Sequence, residues 1–387
     1  MTERLYYEDS HMKEFQAVVA ACEKGKDYWK ISLDRTAFFP EGGGQAGDSG
    51  FLNDTEIFDT HEKDGIIWHY AKVPLEPGTE VLGKIDWEKR FSRMQQHTGE
   101  HIVSGLVHAR FGYDNVGFHL GDPEVTLDFN GSVTKEELAE IELQANKAVF
   151  ANLPVQITYP SREELASLEY RSKIEIQGQV RIVTIPGIDV CACCAPHVEH
   201  TGEIGLIKLT SVQSHRGGVR ITLLAGDRAL FDYREKEAGV KSVSVLLSAK
   251  ENRIADAVER LKQEAFDLKG QLMRLNLSRV QEKAAAVPEG TADPVFFEAD
   301  LDMDTCREFV NLLTARCTGT ASVFAGNDTE GWRYIFGSRT EDTRPLCRYL
   351  NAEFSGKGGG KPEMVQGSLT GPQKEITAAM AAFRKGC

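Results

Sequence analysis

Residues 87–111, WEKRFSRMQQHTGEHIVSGLVHARF, mark the point where the chain changes period. Ahead of them, turn signals (EGGGQAGDSG at 41–50, FLNDTE at 51–56, EKDGI at 62–66, LEPGTE at 75–80) separate short runs such as YWKISLD (28–34) and GIIWHYAKV (65–73). That spacing predicts a small β-barrel or sandwich over residues 1–90. The stretch 87–111 itself reads as helix. Beyond it come a β-like stretch, GFHLGDPEVTLDF (117–129), and a helix over 135–152, opened by Thr134 with Glu137 three residues on as a capping box. Short strands follow at PVQITYP (154–160), QVRIVTIPG (179–187), IGLIKLTSVQ (204–213) and GGVRITLLAG (217–226), so residues 91–227 form an α+β block.

Residues 228–290 turn strongly helical. Ile254, Val258, Leu261, Ala265, Leu268, Leu272 and Leu275 alternate steps of four and three, a heptad seam that suits either one long helix packed on its own body or a coiled-coil contact. AAAVPEGTADP (284–294) ends the helix. Residues 291–387 then alternate apolar runs (PVFFEADL, TASVFAGN, WRYIFGS) with helical ones (TCREFVNLLTAR, EITAAMAAFRKG), giving a small α/β unit. The fold class is α+β overall.

Composition narrows the function. At 387 residues with 41% hydrophobic and 27% charged content, the chain is ordinary globular material for two or three domains. No apolar run approaches the ~20 residues of a bilayer span, and the start, MTERLYYEDSHMKEF, lacks the order of a signal peptide, so a cytoplasmic protein with no membrane partner is expected. A net charge of −13 disfavours indiscriminate binding to nucleic acid, so RNA recognition requires a local basic patch. Of eight cysteines, three crowd into Cys191, Cys193 and Cys194, which points to a metal or reactive cluster more than to a disulfide framework.

His97 and His101 project from one helix face, one turn apart. Alone, this spacing is common in helices. A second half-site lies in VCACCAPHVEHTGEIG (190–205), where Cys193 and His197 are again four apart. Imidazoles with a thiolate are a zinc-type donor set, unlike the oxygen cages of calcium or magnesium. Spacing leaves the thiolate open among Cys191, Cys193 and Cys194, with His197 or His200 beside it. A closed four-ligand site is also what a structural zinc would use.

The motifs FFPEGGGQAGDSG, HTGEH, CCAPHVEHTGEIGLIKL and RGGVRITLLAG, in this order, resemble the editing domain of alanyl-tRNA synthetases and their stand-alone relatives, the AlaX proteins. SGKGGGKPEMVQG (355–367) is similar to the glycine-rich motif of the synthetase's C-terminal domain, which extends the resemblance over nearly the whole chain and towards the long form of AlaX. The resemblance implies an N-terminal β-barrel carrying the glycine-rich loop, and a zinc-containing editing domain with one Zn2+ held by His97, His101, Cys193 and His197. After these come a coiled-coil-like connection and a C-terminal domain for tRNA binding or dimerisation. It implies zinc-dependent hydrolysis of tRNA(Ala) mischarged with serine or glycine. On this reading Gln45, with the backbone of Gly42, Gly43 and Gly44, contacts the oxyanion or ribose. Arg216 and Arg220 are expected at the terminal phosphate. Lys357, Gly358, Gly359, Gly360 and Lys361, extended by Lys374, Arg384 and Lys385, are expected to meet tRNA phosphates. His119 and Thr126 are candidates for reading the serine hydroxyl.

This chain departs from the family in having Cys194, Ala195 and Pro196 where Gly-Gly-Thr is common, which stiffens the loop and removes a hydroxyl. Two rival readings are a threonyl-type editing factor and a non-catalytic RNA-binding module with a structural zinc. A full synthetase is disfavoured, since nothing ahead of the editing motifs reads as an aminoacylation domain.

Overall fold

A computed structural model describes residues 2–122, 124–172 and 178–385. Pro123, within the β-like stretch, and the last two residues of the 291–387 segment lie outside the described residues. The chain folds as two compact units, Met1–Val240 and Lys241–Cys387.

The first unit begins with β1 (Glu3–Arg4), which pairs in parallel with β4 (Arg35–Thr36). Six strands, β2 (Glu14–Lys24), β3 (Trp29–Leu33), β5 (Gly50–Leu52), β6 (Thr55–Lys63), β7 (Ile66–Ala71) and β8 (Glu80–Ile85), close on themselves in the order β2-β3-β7-β6-β5-β8. Their two-residue alternation turns Phe15, Ala17, Val19, Ile57, Val81 and Ile85 inward. His69 is enclosed with them, its Nδ1 donating to the Ile31 carbonyl and its Nε2 2.8 Å from Thr36 Oγ1. Helix α1 (Trp87–Phe111) is capped by Asp86 and stopped by Gly112 in the left-handed region at φ +69°. Arg90 of α1, fully buried, donates to Asp48 and to the carbonyls of Ala37 and Ser10, joining helix to barrel.

The remainder of this unit holds β9 (Asn115–Leu120), β10 (Val125–Phe129), α2 (Lys135–Phe150), β11 (Gln156–Thr158), α3 (Arg162–Ser167), β12 (Ile182–Ile185), β13 (Asp189–Ala192), β14 (Ile207–His215) and β15 (Gly218–Ala225). One sheet runs β14-β15-β10-β9 and a smaller one β11-β12-β13. Thr134 caps α2 with the expected reciprocal bond to Glu137. Met94, Ile102, Val103 and Val107 of α1 pack with Ile141 and Ala145 of α2 on the sheet residues Leu127, Ile221 and Leu223.

Helix α4 (Gly226–Leu247) crosses the boundary between the units. In the second unit α5 (Ile254–Ala286) precedes β16 (Val295–Glu298), α6 (Met303–Thr314), β17 (Ala321–Asn327), β18 (Gly331–Gly337), α7 (Arg344–Glu353), β19 (Lys357–Lys361), β20 (Met364–Leu369) and α8 (Gln373–Lys385). The sheet order is β16-β17-β18-β20-β19. Alternation in β17 and β18 sends Val323 and Ile335 to one face, against Phe309 of α6 and Val280 of α5. Phe324, Tyr334 and Phe336 face the other side, against Leu346 of α7 and Ile376 of α8. Along α5, Leu261, Leu268, Leu272 and Leu275 are exposed, whereas Ala257 near its start and Asn276, Val280 and Ala284 towards its end are buried, the last turns joining the unit's core through Val280 and Ala284. Among the described residues no helix is long and apolar enough to cross a membrane.

Candidate metal centre

Helix α1 supplies His97 and His101 from adjacent turns, and the loop after β13 supplies Cys193 and His197. One donor atom of each lies within 4.8 Å of all the others. Cys193 Sγ is 3.5 Å from His97 Nε2 and 3.4 Å from His197 Nε2. All three histidines are buried. The structure therefore brings together the four residues expected as ligands, with Cys193 as the thiolate. Cys191 is buried on β13, and Cys194 is exposed.

Each imidazole is held from behind at Nδ1. Gln45 Oε1 lies 3.1 Å from His97 Nδ1, Thr98 Oγ1 3.0 Å from His197 Nδ1, and Asp189 Oδ2 2.9 Å from His101 Nδ1. An amide oxygen and a carboxylate only accept, so His97 and His101 donate from Nδ1 and turn Nε2 inward. Thr98 also accepts from the Val198 amide, tying the cysteine loop to α1.

Burial would raise the Cys193 thiol, but the His97 and His197 imidazoles outweigh it and hold it well below the ordinary thiol range. Burial pushes His197 down to about 3, against the opposing pull of Cys193. A ready thiolate is the form in which a cysteine ligates zinc. Three nitrogens of buried histidines, the sulfur of a half-buried cysteine and no oxygen cage fit Zn2+.

The glycine-rich loop is a tight turn, with Gly42 and Gln45 exchanging backbone bonds of 3.0 Å and Gly43 and Gly44 at φ +60° and +80°. A Cβ on Gly43 would lie 3.4 Å from Cys194 Sγ and 3.9 Å from His97 Cε1, so loop, thiol and ligand meet at one edge of the cluster. Gln45 is fully buried, and its Nε2 is a donor with no hydrogen-bond partner among the described residues.

The residues expected at phosphates belong to both units. Arg220 sits opposite Asp128 on β10 and donates from Nε and Nη2 to its two oxygens, both at 2.7 Å, so that edge of its guanidinium is committed within the protein. Arg216 is in the β14–β15 turn at φ +47°, beside a small cleft that includes none of the four metal-site residues. His119 and Thr126 face each other across β9 and β10. Lys357–Lys361, expected to meet tRNA phosphates, is a fully exposed edge strand paired with β20. The glycines have a packing reason: a Cβ on Gly358 or on its partner Gly367 would come within 2.4 Å of the Tyr334 hydroxyl. Arg384 is paired with Asp293.

Sequence reading missed Thr98 and Asp189. Thr98 sits inside HTGEH and Asp189 two residues ahead of Cys191, but their partners are 99 and 88 residues away. Asp189 in turn is gripped by Arg171, and both line a cavity of ≈ 960 Å³ that includes none of the four metal-site residues.

Comparison with known proteins identifies the family. Residues 2–89 match the family model of class II (A) tRNA synthetases, 180–222 that of the threonyl and alanyl tRNA synthetase second additional domain, and 286–385 that of the DHHA1 domain. The chain is 30% identical to the alanyl-tRNA editing protein AlaX-L of Pyrococcus horikoshii, over 97% of this chain and 96% of that one. It belongs to the AlaX family of alanyl-tRNA editing proteins. The editing protein Aarsd1 of Rattus norvegicus, another relative, is 26% identical over 94% of this chain and 93% of its own. The alanine–tRNA ligase of Pyrobaculum neutrophilum is 30% identical over 98% of this chain but 44% of its own length. The family's editing and DHHA1 segments thus fall on the α+β part of the first unit and on the second unit.

Proposed function

We propose that this protein is a trans-editing hydrolase that cleaves the ester of tRNA(Ala) mischarged with serine or glycine, using one zinc ion held by His97, His101, Cys193 and His197. The observation that carries this reading is the buried cluster of three inward-facing imidazoles and a thiolate, each histidine fixed by an outer partner. A bound zinc would supply an activated water, or polarise the ester carbonyl. The protein does the rest. The Gly42–Gln45 turn receives the terminal ribose or developing oxyanion, with the unpaired Gln45 Nε2 as a donor and Gly43 and Gly44 allowing close backbone approach. Cys194, at the edge formed with Gly43, narrows the entrance so that small aminoacyl groups are admitted. Alanine is spared when a polar group in the pocket would lose its partner on binding it; His119 and Thr126 are the candidates. Arg216 and the exposed strand Lys357–Lys361 meet tRNA phosphates, and α5 with the C-terminal unit forms a homodimer. The protein works in the cytoplasm.

A closed set of four donors also suits a structural zinc in an RNA-binding module. Deacylation decides between them. Zinc-loaded protein should release serine from seryl-tRNA(Ala) and not from seryl-tRNA(Thr); release from the latter alone would favour a threonyl-type factor. Cys193→Ala should abolish activity while Cys191→Ala and Cys194→Ala retain most of it. An active Cys193→Ala protein, or no release by the wild type, overturns the reading.

A further inference from the structure

The geometry points to Asp189 and Arg171 as positioning residues for His101, a clamp that fixes its ring and so sets how tightly the site holds its metal. This rests on the four-residue cluster being a zinc site, but not on the reaction proposed for it.

Three independent features converge. First, Asp189 is the charged partner among the three outer contacts; Gln45 and Thr98 are neutral. Its Oδ2 accepts from His101 Nδ1 at 2.9 Å and from Arg171 Nη2 at 2.9 Å, and its Oδ1 accepts from Arg171 Nε at 2.7 Å. A bidentate fork of this kind fixes the plane of the carboxylate, and through it the imidazole. Second, Arg171 is pinned by its backbone, its N–H donating to Val190 O and its carbonyl accepting from Ala192 N. The segment ahead of β12 is thereby fastened to β13 at the place from which its guanidinium reaches Asp189. Third, α1 is hollowed where the chain from Ile188 to Asp189 crosses it. Gly105 lies one turn after His101, and a Cβ there would come 2.3 Å from Ile188 O and 2.8 Å from Asp189 Cβ. The helix gives up a favourable side chain where Asp189 must approach.

Outer partners of metal-bound histidines typically change metal affinity by about 10–100-fold when removed. Asp189→Asn preserves volume but offers one oxygen in place of two, so either His101 or Arg171 meets an N–H group. Arg171→Gln leaves Asp189 free to rotate, and Gly105→Ala displaces it without touching a ligand.

The test is zinc affinity by competition with a chromophoric chelator, without tRNA, together with the visible spectrum of the cobalt-loaded protein. Asp189→Asn should weaken zinc binding within that 10–100-fold range and shift the cobalt bands. Arg171→Gln and Gly105→Ala should weaken it in the same direction, and Thr98→Val by a smaller factor than Asp189→Asn. Wild-type affinity and an unchanged cobalt spectrum in Asp189→Asn and Arg171→Gln overturn the proposal, as does a larger loss in Thr98→Val. Collapse of the metal-free Asp189→Asn protein, read by circular dichroism, also overturns it, because the pair is then a general brace. Failure of deacylation with these affinity changes intact would count against the proposed reaction alone.

Discussion

His69 shows what one enclosed side chain contributes. Burial depresses its imidazole to about 4, although the Ile31 carbonyl favours the charged form. The unfolded chain takes up this proton near pH 6.5, the folded chain only near 4. Its contribution is therefore complete above pH 6.5 and is lost as the pH falls towards 4, amounting to about 3 kcal/mol across that window. Denaturant unfolding at pH 7.5, 5.5 and 4.5 should show the gap between wild type and His69→Gln shrinking with acid; a constant gap would refute this origin. At the candidate metal centre, sequence made the His97–His101 and Cys193–His197 pairs legible because each is local: four residues is one helical turn or one tight loop. It could not show which thiol points inward, nor that Gln45, expected to face substrate, also supports His97. Thr98 and Asp189 stayed hidden because their roles depend on chain segments about a hundred residues away.

Among elements, α1 is tied to the barrel by Arg90 and Asp48, both almost fully buried. Removing one member of such a pair leaves an uncompensated interior charge, so Arg90→Met should lower stability by about 3–5 kcal/mol. Calorimetry checks this; a loss below 1 kcal/mol would mean that Asp48 finds another partner or a proton. The period of α1 and the cap of α2 were readable because they depend on neighbouring residues. The short α7, with Pro345 in its first turn, and the edge strand β19 were not, since Gly358 makes sense only once Tyr334 is seen behind it. The heptad seam was legible as a pattern, but its alternatives were not separable: from Val258 to Leu275 every seam residue is exposed, and the residues that join the core, Val280 and Ala284, lie further along. If α5 carries the homodimer contact, Leu261→Lys with Leu268→Lys should give monomers in light scattering while leaving the unfolding midpoint of a dilute sample little changed. A dimer that survives places the contact elsewhere.

For the molecule as a whole, the reading assigns chemistry to the first unit and tRNA grip to the second. Removing residues 291–387 should raise the seryl-tRNA concentration needed for half-maximal rate, with most of the turnover restored at saturation. The salt dependence of binding should flatten as phosphate contacts are lost. A titration at two salt concentrations checks both, and identical half-saturation and slopes in full-length and truncated protein would leave the second unit without a part in binding. The alternation of apolar runs and helices announced this α/β unit in the sequence. That its glycine-rich segment is a strand was not legible, because glycine rarely marks one. That strand has a further consequence. β19 is the exposed margin of a five-stranded sheet, carrying three consecutive glycines and no bulky side chain to obstruct a neighbour. Such a margin is an open template on which another chain could extend the sheet. Lys357 and Lys361, one at each end, place like charges against any identical strand that docks there. The same two cations would thus act as gatekeepers, keeping the protein colloidally stable where a bare strand edge would invite association.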